Sequence, residues 1–279
     1  MITQLISKAS DKKVLFVGER IKDVYHFGKS LGRPLKEPII CLDYQKTEEY
    51  EGGVLAAADH ARSLVKSVDV MSTVSLRKER YLEAAKLRKL FEIYCGREEP
   101  ACERSDFGSY DLVVVTDYGH GMMTPELIDE VCNKAKFLAV NVQTNAGNYG
   151  FNLATKYPSV DYLCMDETEA RLATQNQYGQ IEKSLNELYG RASRVVVTLG
   201  RNGAIGRDHT GSFWSCAVSD RVVDTMGAGD AFFAVSACIA EEASLQELLD
   251  IGNAAGALKV KSLGQKAVTK DELQRFFCR

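Results

Sequence analysis

The sequence predicts an α/β fold, a doubly wound and mostly parallel sheet with helices on both faces. Three observations predict it. Unbroken apolar runs recur at residues 14–18, 112–116, 137–140, 162–165 and 195–198, as expected of strands covered on both sides. Helical spacing fills intervals between these runs, and strands alternating with helices give a parallel sheet with ligands at the carboxyl ends of its strands. The 279 residues are enough to bury a large core, and neither an internal repeat nor a low-complexity stretch divides them, so we read 1–279 as a single domain.

The first run ends at Gly18, and residues 19–50 then break the rhythm. Pro34, Pro38, glycines and charges surround Ile39-Ile40-Cys41-Leu42, which reads as an edge or lid strand. Gly52 and Gly53 precede a helix over 54–64, and residues 68–71 run almost directly into Ser72. Residues 77–90, rich in Glu, Ala, Leu, Lys and Arg, favour a helix by propensity. Thr124-Pro125 is an N-cap followed by proline at the first helical position, leading into Leu127, Ile128 and Val131. Ile181, Leu185, Leu188 and Tyr189 keep helical spacing up to Gly190, read as a C-cap. A hairpin of 204–207 and 212–216 turns at His209-Thr210-Gly211, and 231–240 reads as a buried helix. Ser244 with Glu247, and Thr269 with Glu272, are capping boxes for the last two helices.

A formal net charge of −3 gives no basic excess to drive binding to nucleic acid or acidic membrane. The eight cysteines are scattered singly, as in reduced intracellular proteins, and the four histidines lie too far apart in sequence for a zinc motif. Residues 1–13 are mixed and polar, unlike a signal peptide. The longest apolar stretch, 231–240, falls short of the roughly 20 residues that span a bilayer. We therefore expect a cytoplasmic protein that handles a small molecule.

The chemistry concentrates in Asp224-Thr225-Met226-Gly227-Ala228-Gly229-Asp230. A Gly-Ala-Gly turn opening into a helix leaves N–H groups unpaired at the helix's positive end, which stabilises an anion such as a transferring phosphoryl group. A carboxylate there repels phosphate, so Asp230 makes sense mainly as a base that takes a proton from an attacking hydroxyl. The plainer alternative is an acidic residue complementing a helix dipole. It explains Asp230 and one glycine, but not both glycines, nor Asp224 and Thr225. The heptapeptide resembles the signature of the ribokinase-like, phosphofructokinase-B type carbohydrate kinases, Asp-Thr-x-Gly-Ala-Gly-Asp, and matches it at every fixed position. The chain contains no G-x-x-x-x-G-K-[ST] sequence, which sets P-loop kinases aside.

That resemblance implies a kinase that uses ATP and Mg²⁺ to phosphorylate a sugar or sugar phosphate. It implies that Asp230 is the catalytic base and that Gly227, Ala228 and Gly229 form the anion hole. Asp23 matches an aspartate that bonds sugar hydroxyls, and Gly52 and Gly53 match the glycine pair of the sugar site, with Ala56 where relatives carry asparagine. Asn141 opens the amide-rich segment Asn141-Val142-Gln143-Thr144-Asn145-Ala146, which reads either as a ligand reader or as ordinary turns. Thr198, Gly200 and Gly203 fall on the nucleotide side, Asn253 on the adenine side, and Gly264 at the turn that closes it. Glu169 matches the glutamate that orders water around magnesium, with Asp166 in place of asparagine. The same pair is equally a plain capping box. Asp224 and Thr225 stand where relatives offer backbone to a monovalent cation, K⁺.

Residues 117–121 and 124–128 resemble the kinase half of bifunctional heptose-phosphate kinase and nucleotidyltransferase proteins, with His120 where those carry lysine. This implies a heptose-phosphate type of acceptor and a nucleotidyltransferase, fused or separate, as partner. The resemblance puts lid strands near 74–81 and 90–95, within lid segments of about 24–50 and 72–96, against the helical propensity of 77–90. Exposed lid edges would invite a homodimer. One peripheral strand-helix block is missing after residue 71, so an impaired domain serving as a nucleotide-binding or partner module stays open as the alternative.

Overall fold

A computed structural model of the chain describes residues 2–32, 34, 36–99, 105–218 and 222–278. The chain begins with helix α1 (Ile2–Ala9) and strand β1 (Lys13–Gly18), then enters two long strands, β2 (Arg20–Gly32) and β3 (Cys41–Gly53). It continues through α2 (Val54–Ala61), β4 (Ser67–Met71), β5 (Ser75–Glu83) and β6 (Arg88–Glu98). A regular alternation follows: β7 (Leu112–Asp117), α3 (Pro125–Lys134), β8 (Leu138–Val142), β9 (Val160–Asp166), α4 (Glu167–Ala173), α5 (Ile181–Leu188) and β10 (Ala192–Thr198). The hairpin of β11 (Ala204–Asp208) and β12 (Gly211–Ser215) precedes α6 (Ala228–Ile239), α7 (Leu245–Lys259) and α8 (Lys270–Phe277).

The main sheet has the order β12-β11-β10-β9-β8-β7-β1-β4, parallel from β4 to β10, with the hairpin added antiparallel. Successive residues of a strand point to opposite faces, which explains the unbroken apolar runs. Val14, Phe16, Leu112 and Val114 meet Ala57, Phe233 and Leu249 of α2, α6 and α7 on one face. Leu15, Val17, Val113 and Val115 meet Leu127, Val131 and Leu185 of α3 and α5 on the other. The doubly wound expectation therefore holds. Thr124 Oγ1 accepts the Leu127 N–H with Pro125 beginning the helix, and the boxes at Ser244/Glu247 and Thr269/Glu272 both form. Each such cap is worth about 1 kcal/mol.

A second sheet, β3-β2-β5-β6, forms the lid. Residues 77–90, helical by propensity, are strands and a turn here. Propensity differences are only about 0.7 kcal/mol per residue or less, and the β2–β5–β6 ladder with its side-chain packing outweighs them. Tyr81 stacks at 4.5 Å between His26 and Phe91, while Leu82 joins Tyr25 and Phe27 in a small core.

Three boundaries differ from the sequence reading. The lid strand begins at Cys41 and runs to Gly53, leaving Ile39 and Ile40 outside it and about half exposed. Helix α2 stops at Ala61, three residues early, and α5 stops at Leu188, ahead of Gly190. Helix α1 forms within a segment read only as polar. Residues 68–71 lie in β4, the edge strand beside β1, and residues 72–74 lead straight into β5 with no helix between. Among the described residues no helix is long and apolar enough to cross a membrane.

Candidate active site

Gly227 caps α6 in the left-handed region (φ 72°), which glycine adopts without strain, so that Ala228, Gly229 and Asp230 take its first three positions. The Ala228 N–H reaches Thr225 O at 3.3 Å, and the Ala231 N–H takes Gly227 O at 2.9 Å. Between these two bonds, the Gly229 and Asp230 amides precede the helical ladder and have no carbonyl four residues back within it. Gly229 stands at a cavity of about 490 Å³. Thr225, Ala228 and Gly229 line it from this turn, Thr198, Gly200 and Gly203 from the end of β10, Asn253 from α7, and Asp166 from the end of β9.

Four of the five residues expected on the nucleotide side, Thr198, Gly200, Gly203 and Asn253, thus meet at one cavity. The Asn253 side chain already spends its N–H groups on Ser215 O and Oγ, both at 3.0 Å, joining α7 to β12. Gly264 is elsewhere. It has φ 73° and faces the lid, where a Cβ would lie 2.7 Å from the Tyr50 ring, so close approach of the lid is what requires glycine there.

Asp230 Oδ1 accepts from Gln143 Nε2 at 2.7 Å and from the Tyr118 hydroxyl at 3.2 Å. Burial raises its pKa above the ordinary carboxylate value, and these two donors oppose the rise. Asn141, expected at the substrate, is only 6% exposed; it donates to Cys164 O at 2.9 Å and accepts from Gln143 Nε2 at 3.0 Å. Asn141 therefore orients Gln143, which in turn holds Asp230. Gln143 belongs to the segment singled out as amide-rich, and Tyr118 to the segment 117–121 singled out by resemblance, where no role was expected of it.

On the lid side, Asp23 is 4% exposed on β2, ion-paired to Arg80 and accepting from Gln265 Nε2 at 3.3 Å. Arg80 also pairs with Glu92 at 2.6 Å. The glycine pair is required by the protein's own groups: a Cβ on Gly52 would lie 2.5 Å from Asp23 Oδ2, and one on Gly53 (φ 63°) would strike Glu19 O. Glu19, fully buried after β1, accepts the N–H groups of Tyr118, His120 and Met122 at 3.1, 3.0 and 3.4 Å, fixing the loop after β7. Burial raises its pKa, with Asp117 adding to the effect. Burial, then Lys78 and Arg97, lower the His120 pKa to about 4, so the ring is neutral at physiological pH.

Asp166 and Glu169 form the capping box that the sequence left open. Glu169 Oε2 accepts the Asp166 N–H at 2.7 Å, and Oε1 accepts the Thr144 N–H at 2.8 Å. Burial, then the Asp166 charge, push its pKa up to about 8. Glu169 thus ties α4 to the loop after β8, while Asp166 is exposed at the cavity wall. Among the described residues no group of three or more His, Cys, Asp or Glu is arranged to hold a metal ion. In the turn at Asp224 and Thr225, Asp224 Oδ1 accepts the Met226 N–H at 3.0 Å, and the Met226 carbonyl is met from behind by Lys259. The sequence reading passed over Lys259; its signal was one cation inside the apolar run 254–260.

A parallel sheet with a helix N-terminus and a carboxylate at its ligand end, facing a separate β lid, defines an α/β protein of ribokinase-like fold. Ribokinase from Thermotoga maritima matches with a TM-score of 0.76 over 96% of this chain and 100% of its own, at 15% identity. Ribokinase from Arabidopsis thaliana, solved with ribose and ATP, matches at 0.71 over 95% and 98%, at 17% identity. A family model, pfkB family carbohydrate kinase, matches residues 108–271, and the chain belongs to that family. The bifunctional protein HldE of Campylobacter jejuni (strain RM1221) is 25% identical over 300 residues, covering 95% of this chain; the chain spans 64% of that relative's length.

Proposed function

We propose that the chain is an ATP-dependent kinase that transfers the γ-phosphoryl group to a hydroxyl of a sugar or sugar phosphate. One observation carries this reading: Asp230 is held by Gln143 and Tyr118 at the third position of α6, next to the Gly229 amide at the cavity. A cavity of about 490 Å³ is within the size range of small-molecule sites, and Thr198, Gly200, Gly203 and Asn253 would hold the nucleotide in it. The Gly229 and Asp230 amides, with the turn at Gly227 and Ala228, would stabilise charge on the transferred group. Asp230 would receive the hydroxyl proton as the new O–P bond forms and the bond to ADP breaks. Burial strengthens it as a base, and its two donors favour its ionised form.

Asp166, an exposed carboxylate on the cavity wall, suits the Mg²⁺ that accompanies a nucleotide, since that ion takes oxygen ligands. When bound, the ion supplies neutralisation of phosphate charge. Glu169, with both oxygens accepting amides, shapes this wall instead. Arg80 is taken up by Asp23 and Glu92, and Lys78, buried on the same strand, is the further cation on the acceptor side; we read it as favouring an acceptor already bearing a phosphate, of the heptose-phosphate type. In this reading the enzyme is cytoplasmic, a nucleotidyltransferase consumes its product, and a second copy docks on the lid face that exposes Tyr44, Phe91 and Ile93.

One observation favours a second reading, a nucleotide-binding module without turnover: Asp23 is already neutralised by Arg80. Measuring ATP binding by calorimetry and ADP release against a panel of heptose, hexose and pentose phosphates separates the two. Turnover on any member supports the kinase. ATP binding with no turnover on all of them supports the module.

A further inference from the structure

Lys259, at the end of α7, is 1% exposed, although its side chain ends in an ammonium group. Its Nζ donates to Met226 O at 2.9 Å and to Gly264 O at 2.7 Å. These carbonyls belong to two separate turns, the one that opens α6 and the one that follows α7. Gly227 lies close by, since a Cβ on it would come within 3.2 Å of Lys259 Cε and 3.7 Å of Nζ. Asp224 Oδ2 and Gln265 Oε1 are buried oxygens without a hydrogen-bond partner among the described residues, and the Asp224 charge acts on the ammonium beyond its two direct acceptors. Burial lowers the Lys259 pKa, while Asp224 and Asp230 oppose that shift.

We infer that Lys259 is a tethered monovalent cation: its ammonium holds the carbonyls behind the anion-receiving turn, and nucleotide binding by this protein needs no potassium. An ammonium and a potassium ion are both satisfied by carbonyl oxygens, and here the carbonyls are already taken. A second cation beside the ammonium would meet like-charge repulsion that little water is present to screen. The residues around Asp224 and Thr225 therefore do not fit the K⁺ site that the sequence led us to expect there. Lys259 is a positioning residue. It touches no reacting atom and acts through Met226 and Gly227 on the amides that follow them. The inference rests on the kinase reading above.

The test is ATP binding by calorimetry and thermal unfolding of the whole chain, wild type and Lys259→Met, in potassium chloride and in tetramethylammonium chloride at equal ionic strength. Wild type should bind ATP equally in the two salts, within about twofold, and melt at the same temperature in both. Lys259→Met should bind ATP about tenfold more weakly in tetramethylammonium, with both its affinity and its melting temperature rising in potassium, a rescue that loss of packing alone would not show. Lys259→Gln replaces it if the methionine variant does not fold, and the wild-type comparison decides the matter without either. Wild-type ATP binding strengthened several-fold by potassium overturns the inference and leaves the kinase reading standing. A folded variant with equal affinity in both salts also overturns it. Absence of ATP binding in either salt overturns the kinase reading and the inference together.

Discussion

Gln143 Nε2 lies 2.7 Å from Asp230 Oδ1, so a side chain from the loop after β8 fixes the carboxylate at the start of α6. The same amide bonds Asn141 Oδ1 at 3.0 Å, and Asn141 is anchored to β9 through Cys164 O. The proposed base is thereby set against the ends of two central strands, and its basicity depends on that link.

Loss of the Gln143 bond should shift the pH dependence of turnover. The bond favours the ionised form, so Gln143→Met raises the Asp230 pKa further, and less base is available at any given pH. The acid limb of the kcat/KM profile should move to higher pH, with a fall of about tenfold at its original midpoint. A profile superimposable on that of wild type contradicts the assignment.

Arg80→Ala should destabilise the lid. It leaves the Asp23 carboxylate, almost wholly inaccessible, without its ion pair, at a cost of about 3–5 kcal/mol for a buried pair broken on one side. Denaturant unfolding measures this, and an unchanged midpoint would show that the pair carries no structural weight.

The central sheet was legible because its strands are covered on both faces, which forces unbroken apolar runs such as 112–116. The helix starts were legible too, since Thr124, Ser244 and Thr269 act on amides only three residues away. The lid was hidden because β5 pairs with β2, more than 50 residues earlier, and β6 is added through β5, against the local preference. At the site, the α6 turn is one contiguous motif and could be read directly. Arg80, Gln143 and Lys259 act on partners 57, 87 and 33 residues away, and no local pattern announces such pairs.

Acid should destabilise the fold through His60. Its Nδ1 accepts the Val268 N–H at 2.9 Å, and burial, then the Lys259 charge, lower its pKa to about 4. The unfolded chain takes up the proton near pH 6.5, so the stabilisation is complete above that value and is lost as pH falls toward about 4. The half-buried His120 adds to this in the same direction. Thermal unfolding across that window should show a falling midpoint, and His60→Asn should flatten the slope; equal slopes would rule the histidine out as a source.

The most direct test is Asp230→Asn, assayed for nucleotide affinity and for phosphoryl transfer on an acceptor that wild type turns over. The kinase reading predicts ATP affinity within about threefold of wild type and turnover lower by about 10²- to 10⁴-fold, the contribution of a general base. Full turnover by Asp230→Asn would contradict it.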